Sequence, residues 1–594
     1  MRLALYIFLL SAIMFSCNTS TTTPEGDTDR ASFQAILAEY YQERLQHYPM
    51  EATMAGDNRY NDTLTLDISE GHRAALRSFY NKYLDRLASV RRATLDESDQ
   101  MSFDILKWEC NINLEGLTFP THLTPIDQFW SLQLTIGQWA SGLSAQPFKT
   151  PEDYDHWLSR LEDFSVWCDT AMVNMNKGMK QGYVLPKMLA LKVIPQLAVL
   201  SHGPAESHLY YGPINQLPND FTAEEKEELT AKYVTMINET IIPTFQTLHD
   251  FFKEEYLPNC RESTGITDIP NGKAYYDYQI KHFTTTSMTA EEVFDLGKKE
   301  VARLLSEMES VKAEVGFEGD LKAFFEHVRS NKKLMPYDNA QAVIDDFNGI
   351  HQRMKPALSG LFELVPKTAF EVRRTEAFRE ASASAEYQPG SLDGTRPGIF
   401  YVPIPDVKNY NRYSDESLFL HEAIPGHHYQ ISLQQENTDL PEFRRALWYS
   451  AYGEGWALYS ESLGKELALY EDPYQYFGML GAEMHRAVRL VVDAGMHSRQ
   501  WTREQAIQYS LENEAESEAS IISEIERYMA MPAQALSYKV GQLKIRALRK
   551  KATDQLGARF DIKQFHNIIL SSGCVPLNIL EDKIDQWIAL SDTQ

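Results

Sequence analysis

Apolar residues recur at spacings of three and four along most of this chain, from about Ala31 onward. Two stretches with this spacing are Phe33, Ile36, Leu37, Tyr40 and Tyr41, and then Leu76, Phe79, Tyr80, Tyr83 and Leu87. The spacing is that of amphipathic helices, and it predicts an all-α fold. With 594 residues, 43% of them hydrophobic, the chain can bury a large core and is expected to form more than one subdomain.

One short stretch departs from the helical pattern. Residues 398–402 read Gly-Ile-Phe-Tyr-Val and lie between Pro397 and Pro403. β-Branched and aromatic residues favour a strand, and proline is tolerated mainly at a sheet edge. We therefore predict a short edge strand at 398–402.

Turn-forming residues divide the chain into two parts. The clearest cluster runs from Leu257 to Gly272 and contains two Pro-Asn pairs. It predicts a boundary between an N-terminal helical half, residues 31–262, and a C-terminal helical half, residues 263–594.

The N-terminus is typical of an exported lipoprotein. Arg2 precedes an apolar run from Leu3 to Phe15, and Ser16-Cys17 follows. The run is too short for a transmembrane helix, so we predict a signal peptide over 1–17 and a lipid on Cys17. Residues 18–30 are predicted to be a flexible tether. The expected location is the cell envelope of a Gram-negative bacterium, with membrane attachment through Cys17, and secretion or a soluble periplasmic protein is the alternative.

Charge and cysteine spacing limit the possible partners. The formal net charge of −26 argues against nucleic acid, because phosphate binding needs a basic surface. Cys110, Cys168, Cys260 and Cys574 are too scattered for a metal cluster. They are either partly paired in disulfides or isolated buried thiols.

Residues 421–428 read His-Glu-Ala-Ile-Pro-Gly-His-His. In helical zinc sites, two His at i and i+4 share one face, and the Glu after the first His is the general base. Here position i+4 is Pro425, which lacks the N–H that a continuous helix needs. The helix must kink or loop out, and a bulge of two residues would bring His427 to the place of the second ligand. His428 is the alternative.

A third ligand must come from elsewhere in the chain. Glu454 lies between Gly453 and Gly455, and small residues permit close helix packing. Glu461, two turns further along the same face, is the second choice. Two His and one carboxylate leave a position for water, which is the arrangement of a catalytic zinc. We therefore predict a Zn2+ site formed by His421, His427 and Glu454.

Further motifs carry a resemblance to a known family. The motif at 421–428 is followed by Gly-Glu-Gly-Trp-Ala at 453–457, by Val-Asp-x-Gly-x-His-x-x-x-Trp-Thr at 492–502, and by Arg-Tyr-x-x-x-Pro-x-Gln-Ala-x-x-Tyr-Lys-x-Gly at 527–541. In this order they resemble the bacterial family called domain of unknown function 885, from about residue 30 to the C-terminus. That family is mostly exported. It is similar to the gluzincin metallopeptidases, which include the thermostable carboxypeptidase, oligopeptidase and angiotensin-converting-enzyme groups.

The resemblance implies a large two-lobed helical fold with a deep central cleft and a zinc-dependent peptidase activity. Glu422 would take a proton from water and deliver it to the leaving amine. By similarity to related peptidases, His497 and Tyr538 would donate hydrogen bonds to the oxyanion. Tyr528 is the alternative phenol, and Asp493 could orient His497. The predicted strand at 398–402 could pair with an extended peptide substrate.

Two other functions are compatible with the same residues. One is a zinc-dependent hydrolase of non-peptide amides. The other is an inactive lipoprotein that captures peptides, against which the presence of Glu422 argues. The choice between exopeptidase and endopeptidase activity depends on what closes the ends of the cleft.

Overall fold

The computed structural model describes residues 25–376, 380, 383–390 and 396–592. The predicted signal peptide over 1–17 and the first part of the predicted tether lie outside these residues. The first helix begins at Glu25, so residues 25–30 of the predicted tether are helical.

Helices dominate the described residues, as the apolar spacing predicted. Several begin with a capping box, such as the one formed by Thr289 and Glu292, which satisfies backbone N–H groups of the first turn. The helices of the first part of the chain are α1 (Glu25–His47), α2 (Pro49–Met54), α3 (Glu70–Ala88), α4 (Glu97–Gly116), α5 (Leu132–Trp139), α6 (Pro151–Gln181), α7 (Lys187–Leu200), α8 (Ala223–Met236) and α9 (Ile242–Asp250). Those of the second part are α10 (Gly272–Thr284), α11 (Ala290–Glu314), α12 (Leu321–Ser330), α13 (Ala340–Leu361), α14 (Asp415–Glu422), α15 (His427–Glu436), α16 (Glu442–Ala446), α17 (Ser450–Glu461), α18 (Pro473–Ser498), α19 (Arg503–Asn513), α20 (Glu518–Ala530), α21 (Ser537–Leu556), α22 (Ile562–Ser571) and α23 (Leu577–Asp592).

A small sheet interrupts the helices between α13 and α14. Its strands are β1 (Phe370–Arg374), β2 (Glu386–Gln388) and β3 (Gly398–Val402), in the order β1-β3-β2. β3 pairs in parallel with β1 and antiparallel with β2, and all of its residues are buried. The predicted strand at 398–402 therefore exists, but the prediction that it is an edge strand is wrong. Its apolar side chains pack on both faces, and its two neighbours take the backbone groups that a bound peptide would need.

Two hydrophobic cores hold the helices together. The smaller core runs from Leu64 to Tyr256 and is built around the aromatic face of α6. The larger core combines α1, α3 and α4 with the elements from α10 onward. The smaller core ends close to the predicted boundary at 262/263, whereas residues 31–110 pack largely with the C-terminal half. The motif-bearing helices α14, α17 and α18 all belong to the larger core.

Membrane spans and disulfides are two further points on which the structure bears. Within the part of the chain that the structure describes, no helix is both long and apolar enough to span a bilayer. Cys110, Cys168 and Cys574 are buried free thiols, and Cys260 is a partly buried one. Of the two alternatives for these four cysteines, the structure therefore shows isolated thiols.

Candidate metal centre

The His-Glu motif lies on two helices joined by a tight connector. α14 ends at Glu422, residues 423–426 are not helical, and α15 begins at His427. The peptide bond between Ile424 and Pro425 is cis, and Nε1 of Trp456 donates a hydrogen bond to the Pro425 carbonyl at 2.8 Å. The chain loops out where Pro425 requires it, and α17 holds the loop in place.

Gly426 is the residue that lets the connector return onto the end of α14. A Cβ atom here would lie 1.9 Å from the carbonyl oxygen of His421 and 2.3 Å from that of Leu420. No side chain fits at that distance, so the close approach requires glycine. As a result, the rings of His421 and His427 meet edge to face, with centroids 4.8 Å apart.

Three side chains converge at this point. Nε2 of His421 and Nε2 of His427 each lie 3.5 Å from Oε2 of Glu454. One ligand atom of each residue lies within 4.8 Å of the other two, so the group could hold a metal ion. Two imidazoles and one carboxylate are a common donor set for catalytic zinc. The structure thus brings together the three residues that the sequence predicted as ligands, and we call them the triad.

Glu461 has a different position from Glu454. Its Oε1 lies 2.8 Å from Nδ1 of His421, on the far side of that ring from the triad. Carboxylates in this position fix the tautomer and orientation of a metal-binding histidine. Glu461 is therefore placed to support a ligand, whereas Glu454 faces both Nε2 atoms.

The charges around His421 fit a cation. Burial works against its charged form, but hydrogen bonds to Glu454 and Glu461 raise its pKa to about 10. The Nδ1 atom of His427 has no hydrogen-bond partner among the described residues, so the triad uses only its Nε2 side. A divalent cation would replace the proton as the positive charge that the carboxylates attract.

His428 turns away from the triad. Its Nδ1 lies 3.0 Å from the hydroxyl of Tyr387 and 3.4 Å from that of Ser432, and its ring packs 4.8 Å from the ring of Phe370. Burial lowers its pKa to about 4, which keeps the ring neutral. The two neighbouring histidines therefore have different surroundings: His427 lies at the triad, and His428 packs against the sheet.

Glu422 is buried beside the triad at the end of α14. Burial raises its pKa, and the negative charge of Glu454 adds to this effect, while His421 and His427 oppose it. A carboxylate whose pKa is shifted toward neutrality is suited to accept and return a proton near neutral pH.

Glycines bring α21 close to the helix that carries Glu454. A Cβ atom on Gly455 would lie 2.5 Å from Cα of Gly541, and the hydroxyls of Ser450 and Ser537 are 2.7 Å apart. Tyr538 follows Ser537 and is partly buried. Burial raises its pKa, and the charge of Glu454 contributes to the rise, so this predicted phenol lies near the triad.

His497 does not belong to the triad's surroundings. Its Nδ1 accepts a hydrogen bond from the backbone N–H of Ile266, and its Nε2 donates one to the carbonyl of Tyr528, both at 3.0 Å. Burial lowers its pKa to about 3. Because both ring nitrogens are engaged by backbone, the predicted oxyanion role is corrected: His497 ties two segments to α18.

Asp493, predicted to orient His497, and Tyr528, the alternative phenol, also have other roles. Asp493 accepts a hydrogen bond from the Tyr276 hydroxyl at 2.6 Å and from the backbone N–H of Ala533, so it does not orient His497. The hydroxyl of Tyr528 donates to Glu524 at 2.6 Å and accepts from Arg489, which leaves it no free proton for an oxyanion.

The residues that sequence reasoning missed lie on α18 and before α17. Arg489 lies over the ring of Tyr538, and Arg486 is one turn before it on the same helix. Trp448 is 45% exposed, and its ring lies 5.9 Å from that of His427. The i, i+3 spacing of the two arginines, within a largely apolar stretch of α18, was the available signal.

Residues 49–584 match the family described as "Bacterial protein of unknown function (DUF885)". This chain belongs to the DUF885 family. The matched region contains the triad and helices α18, α20 and α21, and it confirms the family predicted from the sequence motifs. No curated protein matches the chain.

Two solved structures share the fold seen here. The crystal structure of a "putative lipoprotein" from Colwellia psychrerythraea has a TM-score of 0.86 and 27% sequence identity, and covers 95% of this chain and 99% of that chain. A "putative lipoprotein of unknown function" from Shewanella oneidensis has a TM-score of 0.70 and 19% identity, and covers 93% and 99%. At 19% identity, the second likeness shows the fold alone.

Proposed function

We propose that this DUF885 protein is a zinc-dependent peptidase. The observation that carries the proposal is the convergence of His421, His427 and Glu454, with the buried carboxylate of Glu422 beside them. The donor set suits zinc because it combines two neutral nitrogen ligands with one charged oxygen ligand. When bound, zinc would supply Lewis acidity toward water and the scissile carbonyl.

The chain's own residues account for the proton transfers. Glu422 takes a proton from water as the water oxygen bonds to the carbonyl carbon. It then gives that proton to the amide nitrogen as the C–N bond breaks. The products are a carboxylic acid and an amine, which ionise to a carboxylate and an ammonium group. Glu461 keeps the His421 ring in its orientation through the bond to Nδ1. Tyr538 is the residue proposed to donate a hydrogen bond to the developing oxyanion.

We also infer that the substrate reaches the triad through a cleft between two lobes. A cavity of about 230 Å³ supports a groove between the lobes, because residues of both halves line it. Its walls include Tyr183 and Leu185 on one side and Met529 to Pro532 on the other. At the triad itself, Trp448 is 45% exposed and offers apolar surface beside His427.

Zinc removal tests the peptidase directly. The purified protein loaded with zinc is expected to cleave members of a mixed peptide library, a chelator should abolish cleavage, and added zinc should restore it. The His421→Ala variant should lose most of its zinc and all of its activity. A matched control is His122→Ala, because His122 also pairs with a glutamate, Glu70, but lies outside the triad. Peptides left intact by the zinc-loaded protein, or a rate indifferent to chelator, would exclude the function.

We further propose that the protein is anchored in the cell envelope through lipid on Cys17. The apolar run before Ser16-Cys17 supports this, as does the description of the two related structures as lipoproteins. Cys17→Ser should abolish labelling by a radioactive or clickable fatty acid and release the protein from the membrane fraction. An unlabelled wild-type protein in the soluble fraction would sink the proposal.

A further inference from the structure

Arg489 is a buried guanidinium with an unused donor. Its Nε donates to the hydroxyl of Tyr528 at 2.9 Å, and its Nη2 bonds to Glu524 and to His485 at 3.0 Å. Its Nη1 is buried and has no partner among the described residues. A buried N–H of a charged group is costly to leave unsatisfied, so this atom indicates a ligand.

Positive charge exceeds negative charge around this donor. Arg489 and Arg527 both donate to the single carboxylate of Glu524. Arg486 adds a third guanidinium, and its Nε also has no partner among the described residues. Glu514 is engaged by His485 and does not neutralise the arginines.

Tyr538 connects Arg489 with the helices that form the triad. The guanidinium carbon of Arg489 is 4.6 Å from the centroid of the Tyr538 ring, a cation–π distance. Tyr538 lies in the first turn of α21, and Gly541, one turn on, packs against Gly455 beside Glu454. Tyr538 therefore contacts Arg489 from a helix that packs against the helix carrying Glu454.

We propose that Arg489 binds a carboxylate of the peptide substrate, through its free Nη1, while the adjacent peptide bond lies at the triad. The inference rests on the proposed function and deepens it by naming the substrate class. A guanidinium forms strong, directional hydrogen bonds to a carboxylate, and arginine is preferred for this role where the site is buried. The carboxylate is either the C-terminal group of a peptide or an Asp or Glu side chain. The first source would make the protein a carboxy-terminal exopeptidase.

Binding without turnover separates this inference from the peptidase proposal. The full chain carrying Glu422→Gln, loaded with zinc, is titrated calorimetrically with three peptides of one sequence. One has a free C-terminal carboxylate, one a C-terminal amide, and one the amide together with a single Asp side chain. The peptide with the carboxylate that the site recognises is expected to bind about thirtyfold more tightly than the plain amide. The reason is that it gains a buried hydrogen bond between charged groups.

Variants assign the preference to Arg489. Arg489→Met should remove the difference between the peptides, and Arg489→Lys should retain only part of it because it loses the planar donors. The matched control is Arg503→Met, since Arg503 also pairs with a glutamate of α20, Glu526, and has no orphaned nitrogen. It should keep the full preference.

The binding results show which carboxylate is recognised and whether the inference holds. Tight binding of the free acid alone assigns the C-terminal carboxylate, and tight binding of the Asp peptide alone assigns a side chain. Equal binding of all three peptides, including no binding of any, overturns the inference even if the wild-type protein hydrolyses peptides. A carboxylate preference in a protein without hydrolysis would leave the carboxylate site standing and remove the peptidase. If Arg489→Met fails to fold, the comparison of peptides on the parent protein and Arg489→Lys still decides.

Discussion

Replacing Glu422 by glutamine is expected to abolish peptide hydrolysis while the metal stays bound. Glutamine has the size and shape of glutamate, so the buried pocket at the end of α14 should remain filled. It cannot take a proton from water, however, and loss of a general base costs about 10²–10⁴-fold in rate. The loss should appear in kcat, because the interaction is made in the transition state rather than in substrate binding.

The measurement compares turnover and zinc content in the same preparation. Glu422→Gln should carry as much zinc as the wild-type protein, because the converging ligand atoms belong to His421, His427 and Glu454. A matched control is Glu466→Gln, an acid-to-amide change at a partly exposed residue that pairs with Arg549. Near-normal turnover in Glu422→Gln would falsify the general-base role. Loss of zinc from that variant would instead make Glu422 a ligand.

The fold class and the three side chains that converge could be predicted because local rules decide them. Helical spacing follows from burial of one face of each helix, and it holds through most of the described residues. The flanking glycines marked Glu454 for a physical reason that the structure makes visible. Gly455 meets Gly541 at a distance that no Cβ permits, which sets α17 against α21 at the triad.

The strand at 398–402 shows what local sequence rules cannot predict. Its composition predicted a strand correctly, but its position at the edge or in the centre of the sheet depends on strands elsewhere in the chain. β1 reads Phe-Glu-Val-Arg-Arg, which alternates over only four positions, and β2 reads only Glu-Tyr-Gln, which is too short to show a pattern. Those two strands place β3 in the middle of the sheet, and no property of residues 398–402 alone could reveal this.

His497 was mistaken for a catalytic residue because its partners are distant in sequence. A buried helical histidine looks the same in sequence whether it faces a substrate or a backbone. Here the N–H group that it accepts from belongs to Ile266, 231 residues away. Arg489, by contrast, was overlooked, because the role proposed for it depends on a donor that its neighbours leave unsatisfied. Hydrogen-bond saturation is a property of the folded protein, and sequence spacing does not report it.

Replacing His427 by alanine is expected to reduce zinc affinity far more than replacing His428. The two residues are adjacent in sequence, so the pair is a matched comparison in size, chemistry and position. Nε2 of His427 faces Glu454 at 3.5 Å, whereas the ring of His428 bonds to Tyr387 and packs on Phe370. Removing an outer partner of a metal ligand costs about 10–100-fold in affinity. Loss of His427 should exceed that range, and loss of His428 should fall at or below its lower end.

Competition with a chromophoric chelator measures both affinities on the folded variants, with circular dichroism to verify that each is folded. The physical basis is the connector at 423–426, in which Gly426 returns the chain so closely to His421 that the next residue must lie beside that ring. If His428→Ala strips the metal while His427→Ala retains it, the helix reforms by a full turn in the metal-bound protein and the two assignments must be exchanged. If neither change weakens binding, zinc is held elsewhere, and the triad is a hydrogen-bonded cluster of two histidines and a glutamate.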